Sequence, residues 1–163
     1  MDAVATPDTT AADLPASERT IFEQLLAQHP VARPFDLLNA LRSEKFVADK
    51  AAARWQRTLQ WRSELDVPHL RAAHIERLLR TGVLDFCGVD RQGHGVLVFR
   101  SARHQLGLDA LDAVELFVYM FEVTRAHTTA PDRQIVIIYD MSGDWSRERA
   151  DLRTMKMLAE LFF

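Results

Sequence analysis

Residues 83–100, VLDFCGVDRQGHGVLVFR, mark the point where the hydrophobic pattern of this 163-residue chain changes. Two short runs of β-branched and apolar residues, 83–89 and 95–100, are separated by DRQGH, whose aspartate and glycine suit a type I turn with a bulge. Apolar residues before this stretch recur at helical spacing, whereas helical and strand-like patterns alternate after it. The stretch therefore predicts an antiparallel hairpin at the start of an α/β region.

Four helical patterns precede the hairpin. The first follows Ser17, which can cap it, and the second covers 35–46. The third, 48–65, has apolar residues on one side and arginines and lysines on the other. The fourth, 68–82, begins with a proline that the first turn of a helix tolerates and ends at a glycine suited to a left-handed stop.

Three further patterns follow the hairpin. Residues 108–127 are apolar on nearly every helical face, which predicts a largely buried helix. The run QIVIIYDMSG, 134–143, predicts a strand covered on both sides, and 151–163 places apolar residues on one helical stripe. The chain is therefore predicted to be α/β, with an N-terminal helical subdomain followed by a truncated sheet of about three strands flanked by helices.

The predicted organisation has three parts. Residues 1–17 hold few large apolar side chains and cannot offset the entropy of ordering, so we expect a disordered tail. Residues 18–82 form the helical subdomain and 83–163 the α/β part. A single cysteine, Cys87, excludes an internal disulfide, favours a reducing, cytoplasmic setting and is expected to be a small buried group.

Charge is distributed unevenly along the chain. Twenty basic and 23 acidic residues give a net charge of -3, which argues against a nucleic-acid-binding coat. The third helical pattern nevertheless carries a basic side, with Lys50, Arg54 and Arg57 as candidate membrane-facing residues. Two interpretations stay open: this side is merely solvated, or it is attracted to an anionic membrane.

Catalytic, cofactor and metal sites are not indicated. A strand rather than a helix follows Gly93-His94-Gly95, so no helix-terminal amides are available to hold phosphate. Ser101, His104 and Asp109 are close in sequence but lack a nucleophile elbow and an oxyanion hole. Asp140, which closes the last apolar run, is expected to hydrogen-bond the amides of the turn after it. The sequence therefore predicts a protein that is not an enzyme and needs no cofactor or metal.

Three motifs, in order, carry a resemblance to a known family. LLNALRSEKFVADKAAARWQRTLQWR, 37–62, resembles the N-terminal helical signature of CRAL-TRIO lipid-binding proteins. GVDRQGHGVLVFR, 88–100, looks like the family's first hairpin, and QIVIIYDMSG, 134–143, looks like its central strand. Spacing and turn are most similar to the type that precedes a motile-sperm (MSP) domain. The resemblance implies that 83–163 is the first half of the lipid-binding lobe and that the remainder would lie beyond Phe163.

The resemblance also implies a function: non-catalytic binding or transfer of a phospholipid or another hydrophobic lipid at membrane surfaces, in the cytoplasm or peripherally on organelle membranes. A sheet face of branched apolar side chains can receive hydrocarbon. Strand alternation selects the side chains of one face as lipid contacts. They are Phe86, Leu97, Phe99, Ile135, Ile137 and Tyr139.

Two departures from the pattern of the family narrow the choice of lipid. Ile135 and Ile137 occupy positions where phosphatidylcholine-binding relatives tend to have hydroxyl residues. Glu44 stands where relatives that bind phosphatidylinositol have an arginine, and a carboxylate there would repel the phosphate. The alternative function is a protein-interaction or membrane-tethering module without lipid transfer, in which a protein partner completes the sheet.

Overall fold

The computed structural model describes residues 11, 14–104, 109–130, 133–142 and 156. The helices and strands of this part are, in chain order, α1 (Ala16–Gln28), α2 (Pro34–Ser43), α3 (Ala48–Glu64), α4 (Glu76–Leu79), β1 (Leu84–Val89), β2 (Gly95–Arg100), α5 (Ala110–His127) and β3 (Ile135–Asp140). This order confirms the predicted α/β class, with several helices before a three-stranded sheet. The predicted helix over 151–163 lies outside the described residues, apart from the helical Lys156.

The chain divides into two compact units, Met1–Gln60 and Trp61–Phe163, whose boundary falls within α3. The first unit packs around α2, in which Leu37, Leu38 and Leu41 are fully buried. Phe22 of α1 and Trp55 of α3 join the same cluster. Each fully buried leucine contributes about 1.5–3 kcal/mol relative to an exposed one. The predicted division into a tail (1–17), a helical subdomain (18–82) and an α/β part (83–163) uses different boundaries and stays a prediction.

The start of α1 differs from the sequence prediction. The helix begins at Ala16, Pro15 occupies the cap position, and no side chain caps it, so the prediction that Ser17 is the cap was wrong. Leu14 is buried in the cluster of the first unit, which holds the chain in place just before the helix. The rest of the predicted tail, before residue 14, lies outside the described residues except for Ala11.

The predicted fourth helix is broken. Short 3-10 turns at Val67–His69 and Ala72–His74 precede α4, and the backbone between them is extended. Leu70 packs against the cluster that Val67 forms with α5, while Leu78 belongs to the cluster beneath the sheet. Because the segment serves two clusters, tertiary packing overrides the helical pattern. Gly82 has a φ of 62°, as the predicted left-handed stop requires.

The sheet has the order β1-β2-β3 and is mixed. β1 and β2 pair antiparallel, with a bulge between Phe86 and Val89, which confirms the predicted hairpin. β2 and β3 pair parallel, and α5 makes the connection that a parallel pair requires.

α5 packs closely on β2 and is largely buried, as predicted. A Cβ added at Gly95 would overlap the Thr124 methyl group and lie 2.7 Å from Thr128 Oγ1. The Gly95 amide donates a hydrogen bond to Thr128 Oγ1 at 3.2 Å. Leu116 and Met120 pack toward the sheet. The missing side chain at Gly95 is what allows the helix to lie against the strand.

Candidate functional site

The two faces of the sheet carry different sets of side chains. Pairing in register places paired residues of neighbouring strands on one face. The face that receives α5, the helix-packed face, carries the predicted lipid contacts: Phe86, Leu97, Phe99, Ile135, Ile137 and Tyr139. The aliphatic face consists of four side chains on the opposite side: Val96, Val98, Val136 and Ile138.

The helix-packed face is buried most deeply where α5 crosses β1 and β2. Leu97 is fully buried in the cluster that α5 forms with the sheet. The rings of Phe86 and His127 lie 5.0 Å apart, and those of Phe99 and Phe117 are stacked at 5.9 Å. Packing of this kind fixes α5 on the sheet.

The β3 part of the helix-packed face is less covered. Ile135 and Ile137 are half-buried, and the Tyr139 side chain is 56% exposed although its ring lies 5.8 Å from that of Phe99. The structure therefore brings the six predicted residues together on one face. Their contact with lipid stays a prediction.

The aliphatic face is the more exposed of the two. Val136 is 38% and Ile138 48% exposed, while Val96 and Val98 on β2 are half-buried. Among the described residues nothing covers this side of β3 completely, so the prediction of a strand covered on both sides was wrong for this part of the chain. The sequence analysis did not select these four residues, because β2 and β3 are apolar on both faces. Alternation separates the two faces but does not show which one the helix covers.

A polar row closes one end of the aliphatic face. It consists of Asp85, Arg100 and Asp140, and it lies where β2 and β3 end and β1 begins. Arg100 Nη1 donates to the Asp85 carboxylate and to the Gly82 carbonyl oxygen, the latter at 3.2 Å. A Cβ added at Gly82 would overlap Arg103 Nη1, which places a second guanidinium beside Asp85.

Asp140 has the structural role that its sequence position predicts. Its Oδ1 accepts a hydrogen bond from the Ser142 amide at 2.9 Å, and Ser101 Oγ donates to its backbone carbonyl at 3.1 Å. Hydrogen bonds from Ser142, and then the positive charges of Arg100 and Arg103, lower the pKa of Asp140 below its ordinary value. The carboxylate is therefore ionised at neutral pH.

The hairpin turn is fastened to the end of α5. Asp90 accepts hydrogen bonds from the Gln92 amide at 2.8 Å, the His94 amide at 2.9 Å and His94 Nδ1 at 2.9 Å. These bonds, led by that of the His94 ring, lower the pKa of Asp90. The Gly93 carbonyl oxygen accepts from the Thr129 and Ala130 amides at 2.9 and 3.0 Å. The turn thereby orients β2 against the segment that leads to β3.

The predicted membrane-facing residues lie in α3, within the first unit, and differ in their partners. Arg54 forms an ion pair with Glu44 at 3.5 Å, and its side chain is 20% exposed. Lys50 and Arg57 are exposed and form no ion pair with any described residue. A role at a membrane stays a prediction for all three.

Other candidate chemistry is sparse in the described residues. Cys87 is exposed, which corrects the prediction that it is buried; it follows Phe86 at the bulge of β1, where pairing with β2 is irregular. No group of three metal-ligating side chains occurs among residues 11, 14–104, 109–130, 133–142 and 156. Within the same residues, none of the helices has the length and apolar character needed to cross a bilayer.

Comparison with known proteins gives one result for the half of the chain that contains the sheet. The family model of the CRAL/TRIO domain matches residues 79–163, just over half of the chain, and this range includes β1, β2, α5 and β3. A search of curated proteins found no match. CRAL/TRIO domains in general bind or transfer hydrophobic ligands and are not enzymes. The chain belongs to the CRAL/TRIO domain family.

Proposed function

We propose that this protein binds a hydrophobic lipid, or transfers it between membranes, without covalent chemistry, and that the ligand lies on the sheet. The observation that carries the proposal is the aliphatic face, which presents branched side chains to solvent in the part of the chain that matches a lipid-binding family. Each ligand methylene that leaves water on such a surface contributes about 0.8 kcal/mol.

Exposure favours the aliphatic face over the helix-packed face as the direct contact. Val136 and Ile138 can pack against a ligand without displacing α5, whereas Leu97 already contacts the helix. Among the six residues predicted from the sequence, Tyr139 is the most exposed, at 56%, and has the most room for a ligand at the β3 edge. We propose that the other five act mainly by holding the sheet and α5 together.

Substitutions on the two exposed positions test the proposal. Val136→Asn and Ile138→Asn place an amide where hydrocarbon would lie, so we expect each to weaken displacement of the neutral dye Nile red by dodecanol roughly tenfold, the cost of burying an unpaired polar group. Val89→Asn is the matched control. Val89 is similarly exposed, at 49%, in the same sheet, but it pairs with Gly95 and is not one of the four residues of the aliphatic face. Equal dodecanol affinity in the unchanged protein and all three variants would refute binding on this face.

The membrane-surface role is proposed for the basic side of α3. Lys50 and Arg57 supply two exposed charges, each worth about 1 kcal/mol near an anionic surface. Charge reversal to glutamate at both should reduce sedimentation with phosphatidylserine liposomes and remove its salt dependence. Arg54→Gln should have a smaller effect, because Arg54 already pairs with Glu44. Binding that ignores lipid charge and salt would contradict the membrane role and, with it, the proposed peripheral location on organelle membranes.

A second candidate function rests on β3. In the described residues β3 pairs with β2 alone, and its side chains at 136, 138 and 139 are exposed. Such a strand could recruit a protein partner that extends the sheet, in a tethering module that transfers no lipid. Lipid found by mass spectrometry in the purified protein would favour ligand binding, whereas a stable complex that contains no lipid would favour the tethering function.

Membership of the type that precedes an MSP domain is proposed from the sequence motifs alone.

A further inference from the structure

We propose that the ligand of the aliphatic face is an amphiphile with an uncharged, hydroxyl-bearing head, and that this head lies against the polar row of Asp85, Arg100 and Asp140, beside Arg103. The inference rests on the proposed function, since it names the class of lipid that the same surface takes. It excludes as preferred ligands the lipids whose head is a phosphate or an ammonium group alone.

The polar row directly continues the aliphatic face. Arg100 pairs with Asp140 in the register of β2 and β3, and the pair before it on that face is Val98 with Ile138. Two residues along a strand span about 6.6–6.8 Å, so a head at the row brings the first carbons of its chain onto Val98 and Ile138. The sheet therefore offers a polar end and an apolar floor in the order that an amphiphile needs.

The charges of the described residues at this end balance. Asp85 and Asp140 contribute two negative charges, and Arg100 and Arg103 contribute two positive ones. A phosphate would be attracted by the guanidinium groups and repelled by the carboxylates, and an ammonium would meet the reverse. Neither ion gains from the field of the row, and each still gives up hydration when it binds. An uncharged head avoids most of that cost.

The row and the neighbouring Arg103 also retain donors and acceptors. Arg103 makes no hydrogen bond and no ion pair with the described residues, so its guanidinium can donate to a ligand. The two oxygens of Asp140 offer about four lone-pair sites, more than Ser142 occupies. A hydroxyl group both donates and accepts, so it can satisfy a carboxylate and a guanidinium together, and hydrogen bonds to charged groups are the stronger ones.

Three ligands with the same chain test the head preference. Dodecyl phosphate and dodecylamine, each below its micelle concentration, and dodecanol, below its solubility limit, are titrated into the 163-residue chain that holds Nile red, and displacement gives their dissociation constants. We expect dodecanol to bind roughly tenfold more tightly than either ion, a difference of about 1.4 kcal/mol. Equal affinities, or tighter binding of dodecyl phosphate, would overturn the proposal.

Two substitutions should shift the ranking in opposite directions. Asp140→Asn leaves the row and the neighbouring Arg103 with one net positive charge, so dodecyl phosphate should gain on dodecanol. Arg103→Gln leaves one net negative charge, so dodecylamine should gain instead. Arg91→Gln is the control, because it removes an exposed arginine in the hairpin turn, at the other end of the strands, and should leave the ranking unchanged. A ranking that ignores both changes at the row would also overturn the proposal.

These measurements distinguish an error in the head preference from an error in the binding face. If all three ligands bind equally and Ile138→Asn weakens all of them, the hydrophobic site stands and the head preference is wrong. If no ligand displaces the dye, or if Ile138→Asn changes nothing, ligand binding on the aliphatic face is itself wrong and the head preference falls with it.

Discussion

Both faces of the sheet are apolar where β2 and β3 pair, yet they differ in what covers them. Leu97 is fully buried beneath α5, whereas Ile138, on the neighbouring strand and the opposite face, is 48% exposed. Hydrophobic composition therefore does not distinguish a residue that stabilises the fold from one available to a ligand. The difference arises from the connection through α5, which covers one face in the described part of the chain.

The largest expected effect is on stability at the helix-packed face. Leu97→Ala removes a fully buried side chain and should lower the free energy of unfolding by about 2–5 kcal/mol, through lost burial and the cavity left behind. Ile138→Thr, which keeps the branched shape, should stay within about 0.5 kcal/mol. Denaturant unfolding of both variants measures the contrast, and equal losses would show that the faces are not different.

The next largest effect concerns the approach of α5 to β2. Gly95→Ala places a methyl group against Thr124 and should destabilise the chain by about 1–3 kcal/mol. Thr124→Ser in the same chain removes the overlapping methyl group, so the double variant should recover part of that loss in a double-mutant cycle. Simple additivity of the two changes would argue against a close contact at Gly95.

A smaller effect, dependent on pH, is expected at the hairpin turn. The folded pKa of Asp90 is lowered, so its contribution is present above the unfolded pKa of about 3.9 and is lost as pH falls through the folded value. Asp90→Asn should therefore destabilise the chain at pH 7 and make less difference as the pH drops below about 4. Thermal unfolding across this range measures it; a constant difference between the two proteins would contradict the role of the carboxylate.

The smallest effect is expected at Cys87. Because its side chain is exposed, Cys87→Ser should change the free energy of unfolding by less than about 0.5 kcal/mol, and the thiol should react with Ellman's reagent in the folded protein. A thiol that reacts only after denaturant is added would indicate that it is buried after all.

The sequence predicted the features that depend on local pattern. The helices around Leu38 and Trp55, the hairpin, and the left-handed Gly82 all follow from spacing or turn chemistry. The sequence prediction failed where tertiary packing decides the backbone conformation. In 68–82 the side chains pack into two separate clusters, so no single helix forms.

The candidate site was predictable only in part, for the same reason. Alternation correctly grouped Ile135, Ile137 and Tyr139 with Leu97, but period two does not show which face receives a helix. The polar row was also hidden, because Asp85, Arg100 and Asp140 are far apart in sequence and meet only through strand pairing.

Photolabelling tests the proposed binding face most directly. A dodecanol analogue with a diazirine in its chain would be bound to the 163-residue chain, activated by light and located by mass spectrometry of peptides. We predict labels on Val96, Val98, Val136 or Ile138, reduced by excess dodecanol. Labels confined to Phe86, Phe99, Ile135 or Ile137 would contradict the aliphatic face and place the ligand beneath α5.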